Sequence, residues 1–223
     1  MQKYFFSLLV ICASFSVWAQ ESSETILSKR QAFVRVGYDL SRIGLPYVGK
    51  IGSKGWELSV DGEIKYNWFP IVEVGGQSVK NNTDTLQYEM SGSYVRIGLD
   101  YNILKYKHRL DRDIFFVGCR IAQAKFSHEA PCVIINSITY GVLEIPVASA
   151  DINALWAEAV VGVKGELLRN LFMGVTVRAK AMLKHTEYEQ LTPYIVPGFG
   201  KGFNKFNAGI TYSLMYSIPL SKR

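Results

Sequence analysis

The chain has 223 residues, a formal net charge of +6 and 48% hydrophobic residues, so it is long enough for one β domain of ordinary hydropathy. Beyond the N-terminus there is no run of roughly eighteen apolar residues, which excludes a transmembrane helix there. The basic excess sits in turns and loops without interleaved stacking aromatics, so no nucleic-acid partner is expected.

The first nineteen residues read as an export signal. Lys3 precedes an apolar run from Tyr4 to Val17, and Val17-Trp18-Ala19 places small residues where signal peptidase requires them. Residues 1–19 are therefore expected to be a signal peptide, residues 20–32 a periplasmic leader, 33–218 the folded domain and 219–223 a short tail. Cys119 and Cys132 are the cysteines left after cleavage. One falls in an expected strand and the other in the following loop, so two free thiols are expected rather than a disulfide.

From residue 33 onward the pattern has period two, the spacing that puts alternate side chains on opposite faces of a strand. Val34, Val36, Tyr38 and Leu40 oppose Arg35, Gly37 and Asp39. After a glycine-rich loop, Trp56, Leu58, Val60, Ile64 and Tyr66 oppose Glu57, Asp61, Glu63 and Lys65. A turn at Trp68-Phe69-Pro70 leads to a third strand from Ile71 to about Val79, with a polar loop expected at Asn81 to Asp84. The fourth strand ends at Ile103 and the fifth runs from Ile114 to about Phe126. Ser127 to Asn153 is the longest break, with a small hairpin expected inside it. The sixth and seventh strands follow, separated by Leu168-Arg169-Asn170. A loop with Pro193 and Pro197 precedes the last strand, Phe206 to Ile218, which exceeds the roughly 9–11 residues a membrane strand needs.

About eight strands joined by hairpins, with shorter turns alternating with longer loops, predict an all-β fold: a closed antiparallel up-and-down transmembrane barrel. An even strand count puts both termini on the periplasmic side. A soluble lipocalin-type barrel shares the period but buries its apolar face around a ligand. Here the polar face carries glycines together with charges of both signs. Arg35, Asp39, Glu57, Asp61, Glu63, Lys65, Glu73, Arg96, Asp100, Arg120, Glu158, Lys164, Glu166, Arg178 and Lys180 are therefore expected to form an interior ion-pair network.

Three stretches carry a family resemblance: Phe33-Val34-Arg35-Val36-Gly37-Tyr38-Asp39, Tyr94 to Tyr101, and Pro193-Tyr194-Ile195-Val196-Pro197-Gly198-Phe199-Gly200-Lys201. With them the chain resembles the small outer-membrane barrels of Gram-negative bacteria, broadly the OmpA-like eight-stranded class. More narrowly it resembles a family of exported barrels to which no function is assigned. The resemblance implies an outer-membrane location, contact with outer-membrane lipid, insertion by the barrel-insertion machinery, and a monomer. The chain departs from such barrels in continuing past Tyr216 to Arg223, where many end on an aromatic residue.

No enzyme site is expected. Ser127-His128-Glu129 are consecutive and cannot converge as nucleophile, base and orienter. Gly198-Phe199-Gly200-Lys201-Gly202 lacks the strand-before, helix-after context of a phosphate loop and reads as loop geometry. No metal-ligand spacing is present, and no cofactor is expected. A structural or interaction role is expected, an unidentified protein partner being met by the apolar outer loop through Val133, Ile134, Ile135, Ile138, Tyr140, Val142, Leu143 and Ile145. The competing readings are a small-solute pore, a lipid-modifying enzyme using His128 or His185, and the soluble ligand-binding barrel.

Overall fold

The computed structural model describes residues 33–42, 52–83, 86–104, 112–137, 141–186, 193–202 and 204–220. The expected signal peptide, the leader and the last three residues of the tail lie outside them. The strands are β1 Phe33–Asp39, β2 Gly52–Gly62, β3 Trp68–Thr83, β4 Leu86–Asn102, β5 Ile114–Ser137, β6 Gly141–Leu168, β7 Leu171–His185, β8 Ile195–Val196, β9 Gly200–Lys201 and β10 Phe206–Pro219. Eight of these form a closed barrel in the order β1-β10-β7-β6-β5-β4-β3-β2, and β8 and β9 form a separate two-stranded sheet. The antiparallel β1–β10 pair closes the wall, from Phe33↔Pro219 to Asp39↔Ser213. Closure leaves these two strands no free edge. The end carrying Phe33 and Pro219 is called the near end below, and the opposite one the far end.

Two near-end turns use the same device. Asn67 and Asn170 adopt left-handed backbone, φ 65° and 66°, which asparagine tolerates better than most residues. Each donates its backbone N–H to a glutamate four residues earlier, Asn67 to Glu63 Oε1 at 3.1 Å and Asn170 to Glu166 Oε1 at 2.7 Å. The turn expected at Trp68-Phe69-Pro70 is thus displaced to Glu63–Asn67, and those three residues open β3.

The far end is uneven. Ser127 to Asn153, expected as a break, is mostly strand: β5 continues to Ser137 and β6 starts at Gly141. Register shifts between His128 and Ala130 and between Ala130 and Val133 interrupt the alternation while pairing continues. Such bulges insert an unpaired residue without ending a strand, so they hide it from a period-two reading. Asn81, Asn82 and Thr83, expected as loop, likewise pair with Tyr88, Gln87 and Leu86. β6 has 28 residues and its neighbour β7 has 15. At about 3.3 Å per residue the excess reaches roughly 40 Å along the strand.

The inward face is filled in three layers. Phe33, Phe69, Ile114, Phe116 and Val160 pack together at the near end. Charged residues fill the middle. Tyr88, Met90, Tyr94, Phe126, Ile152, Trp156, Val196 and Phe199 pack at the far end. The outward face is apolar and bare: Leu58, Val60, Val72, Ile97, Ile121, Val161, Val177 and Ile210 are all exposed. Two inward glycines make the middle layer fit. A Cβ on Gly98 would overlap the Arg120 side chain, and one on Gly118 would overlap the Asp100 carboxylate.

Candidate functional site

The middle layer is one connected set of ion pairs built on seven strands. On the near side, Arg35 Nε donates to Asp61 Oδ1 at 2.6 Å, and Lys164 Nζ bridges Asp61 at 2.5 Å and Asp100 at 3.4 Å. Arg120 joins Asp100 at 2.7 Å to Glu73 at 3.6 Å. Glu73 is the hub: Arg178 reaches both its oxygens, at 2.8 and 3.0 Å, and Arg96 approaches to 3.0 Å. Arg96 continues to Glu57 at 2.8 Å and Glu158 at 3.0 Å. Tyr94 Oη and Trp156 Nε1 donate to Glu57 and Glu158 at 2.5 and 2.7 Å. Among the described residues the buried charged side chains are six cations and six carboxylates. Isolated charges in such a space would each cost several kcal/mol, whereas the pairing here offsets that desolvation.

Aromatic faces supply further compensation. The Arg35 guanidinium lies 5.4, 5.1 and 5.6 Å from the rings of Phe33, Phe69 and Phe172, distances at which the ring quadrupole attracts a cation. Between the layers a cavity of about 20 Å³ remains, lined in part by Glu57, Glu73, Arg178 and Thr211. That is space for about one water.

Not every charge expected in the lumen is there. Glu63 and Glu166 hold the near-end turns, Glu166 exposed and Glu63 half-buried, and Lys65 is exposed in the first of those turns. Glu63 and Lys65 lie beyond the end of β2, and Glu166 sits in the last residues of β6 at the near-end rim. Asp39 is buried, and the Ser41 hydroxyl donates to it at 2.6 Å, with Arg42 Nε 3.4 Å away. Lys180 is buried but donates to backbone carbonyls: Gly198 O at 2.6 Å and Phe199 O at 3.4 Å.

Those carbonyls belong to a hairpin, Pro193 to Gly202, folded into the far-end mouth. Arg96 Nη2 also donates to Gly198 O, at 3.1 Å, and Gly198 N–H donates to Gln77 Oε1 at 3.2 Å. Phe199 packs edge-on against Trp156, centroids 5.7 Å apart, and Tyr194 against Tyr88 at 6.3 Å. Gly198 has φ +74°, and a Cβ there would come within 2.9 Å of the Tyr94 ring. Period-two reading does not reveal this hairpin, whose strands are two residues each. The one signal in the sequence is the pair of glycines flanking Phe199.

The chain matches, over residues 1–223, the family described as Domain of unknown function (DUF6048). It belongs to that family. No curated protein matches it. Among solved structures it is similar to Ail, the attachment invasion locus protein of Yersinia pestis, at 9% identity and TM-score 0.42, over 85% of this chain and 99% of that one. It is also similar to a major outer membrane protein from Thermus thermophilus, at 14% identity and TM-score 0.45, over 84% of this chain and 99% of that one.

In this DUF6048 chain the residues expected to form an interaction loop divide. Val133, Ile134 and Ile135 lie in β5, and Val142, Leu143 and Ile145 in β6; Val133 pairs with Ile145 and Ile135 with Leu143. They form a strand ladder instead of a loop. Ile138 and Tyr140 lie outside the described residues. His128 is buried facing the lumen side, edge-on to Tyr88 and Phe126, while its neighbours Ser127 and Glu129 are only half-buried. Strand alternation turns those two neighbours away from it. His185 is exposed at the end of β7. Among the described residues no group of three or more His, Cys, Asp or Glu is placed to hold a metal ion. Cys119 is a free, exposed thiol on the outer face of β5, and Cys132 lies within β5.

Proposed function

We propose that the protein is an integral outer-membrane barrel of the OmpA-like eight-stranded class, closed to solute flow, that serves a structural or interaction role. The observation that carries this reading is the inversion of the two faces. Side chains such as Ile97, Ile121, Val177 and Ile210 are 48–61% exposed on the outside, while twelve charged side chains of the described residues are buried inside. A soluble barrel would expose this whole apolar belt to water, far beyond the few hundred Å² usual for a patch on a monomer. In a bilayer the same belt is solvated by acyl chains. Aromatic residues border it at both levels, Trp68 and Tyr101 with ring centroids 5.0 Å apart at the near end and Trp56 toward the far end. Such girdles mark the two interfaces of membrane barrels.

The near end, with both chain ends of the barrel, then faces the periplasm. The far end, with the tall β5–β6 hairpin, faces outward, and this hairpin is the surface offered to a protein partner. An eight-stranded barrel has an interior only wide enough for side chains, and here aromatic layers close it above and below the ions. Fractionation with heat-modifiable gel migration tests the location: recovery from the periplasm as a soluble monomer overturns it. Deleting Cys132 to Ser149 tests the role. The shortened barrel is expected to insert normally and to lose partners recovered by in-cell cross-linking. Undiminished cross-linking would refute a role for the hairpin.

A further inference from the structure

The outward face changes character along its length. Leu58 of β2 and its partner Val74 of β3 belong to the apolar belt, and the next outward pair toward the far end is Trp56 and Gly76. Beyond that pair the described outward positions of β3 and β4 turn polar: Ser78 and Lys80 on β3, and Ser93, Ser91 and Glu89 on β4. Trp56 stands at this border and is 47% exposed. A Cβ on Gly76 would stand 2.8, 3.2 and 3.5 Å from the Trp56 Nε1, Cε2 and Cζ2 atoms, so the indole fills the space of the missing side chain and is held down against the sheet. Beside it runs an open groove of about 340 Å³, lined in part by Lys54, Trp56, Gly76, Ser78 and Ser91. An aromatic ring bordered by hydroxyls and a cation suits a sugar. The C–H groups of a sugar ring carry partial positive charge and meet the negative face of the indole, while its hydroxyls take the polar partners.

We infer that this groove holds the first sugar of an outer-leaflet glycolipid, with the sugar on Trp56, its hydroxyls toward Ser78, Ser91 and Lys54, and its acyl chains along Leu58 and Val74. The inference rests on the membrane reading above. Continuity with the belt favours a lipid-borne sugar over a free one, because Trp56 and Gly76 adjoin the outward pair Leu58 and Val74 that would meet acyl chains. The height of the polar wall favours a saccharide over a phospholipid head. From Gly76 to Thr83 β3 runs about 25 Å, or about 20 Å upright at the usual strand tilt, whereas the headgroup layer of a bilayer is only about 5–8 Å deep on each side. Trp68, the girdle tryptophan of the near end, packs instead on Tyr101 and serves as the control.

The test reads retained lipid by native mass spectrometry. The full barrel is reconstituted in phosphatidylcholine vesicles carrying a minor fraction of monoglucosyl diacylglycerol, then released into lauryldimethylamine oxide, a detergent without sugar. The wild type is expected to retain the glycolipid about tenfold above its share of the vesicle lipid. Trp56→Leu removes the ring and Gly76→Val lifts it off the sheet; both are expected to lose the enrichment, and Trp68→Leu to keep it. Heat-modifiable migration checks that each variant remains a barrel. A Trp56→Leu barrel with wild-type enrichment overturns the inference, as does an equal loss in Trp68→Leu, which would be a general effect of girdle aromatics. Displacement of the glycolipid by methyl glucoside at the same concentration would make the groove a site for free sugar and overturn the lipid assignment. Flotation with the vesicles tests the membrane reading separately: a barrel that floats but shows no enrichment fails on the groove alone.

Discussion

Glu73→Gln tests whether the lumen is a dry ionic core. Glu73 is 2% exposed and accepts from Arg178 at 2.8 and 3.0 Å and from Arg96 at 3.0 Å, with Arg120 at 3.6 Å. Glutamine keeps the shape and one acceptor but removes the charge, which leaves three arginines around a neutral group. Breaking a buried pair by removing one partner costs about 3–5 kcal/mol. Arg96 keeps Glu57 and Glu158, Arg120 keeps Asp100, and Arg178 keeps Glu158 at 3.2 Å, which places the expected loss near the lower bound. With a urea m-value of about 2 kcal/mol/M, the unfolding midpoint in lipid vesicles should fall by about 1.5 M. Adding Arg178→Met restores neutrality and should recover part of the loss, a coupling read directly from the double-mutant cycle. The control is Lys80→Gln at the exposed Lys80–Glu89 pair, 2.8 Å apart with Lys80 68% exposed, where solvent screening should leave the midpoint unmoved. Equal shifts for Glu73→Gln and Lys80→Gln would mean that the lumen is hydrated and that the ionic core has been misread.

Four further outcomes are expected. In planar bilayers the protein should show no steady conductance, because two aromatic layers and the ion pairs fill the lumen; stable nanosiemens channels would refute this. Val161→Arg, on the outward face and 38% exposed in the wild type, should destabilise the barrel in vesicles by about 2–4 kcal/mol if that face meets lipid; a soluble barrel would accept it without loss. In a Cys132→Ser background Cys119 should react with a lipid-soluble maleimide and resist a membrane-impermeant one, and the reverse preference would place that face in water. Gly118→Leu should abolish folding, since even a Cβ there overlaps the Asp100 carboxylate, whereas Gly165→Leu, where the nearest atom to an added Cβ is Asp113 Oδ1 at 3.9 Å, should fold.

Alternation by itself determined the barrel, because period two is a property of each strand and needs no partner to be read. Leu58, Val60, Glu57 and Asp61 announce two faces wherever β2 sits, and the glycines among the charges, Gly98 and Gly118 above all, announce that the charged face is the crowded one. What neighbours impose is not legible in the same way. The bulges after His128 are defined by pairing with β6, so the β5–β6 hairpin reads as a loop in the sequence although its backbone is laddered almost to the tip. Glu63 and Glu166 continue the inward parity of their strands, yet only the turns at Asn67 and Asn170 decide that their carboxylates hold backbone N–H groups at the rim. The mouth hairpin is the furthest from the local pattern. Gly198 meets Gln77, Arg96 and Lys180, residues 121, 102 and 18 positions away, and those contacts exist only once the wall has closed around it.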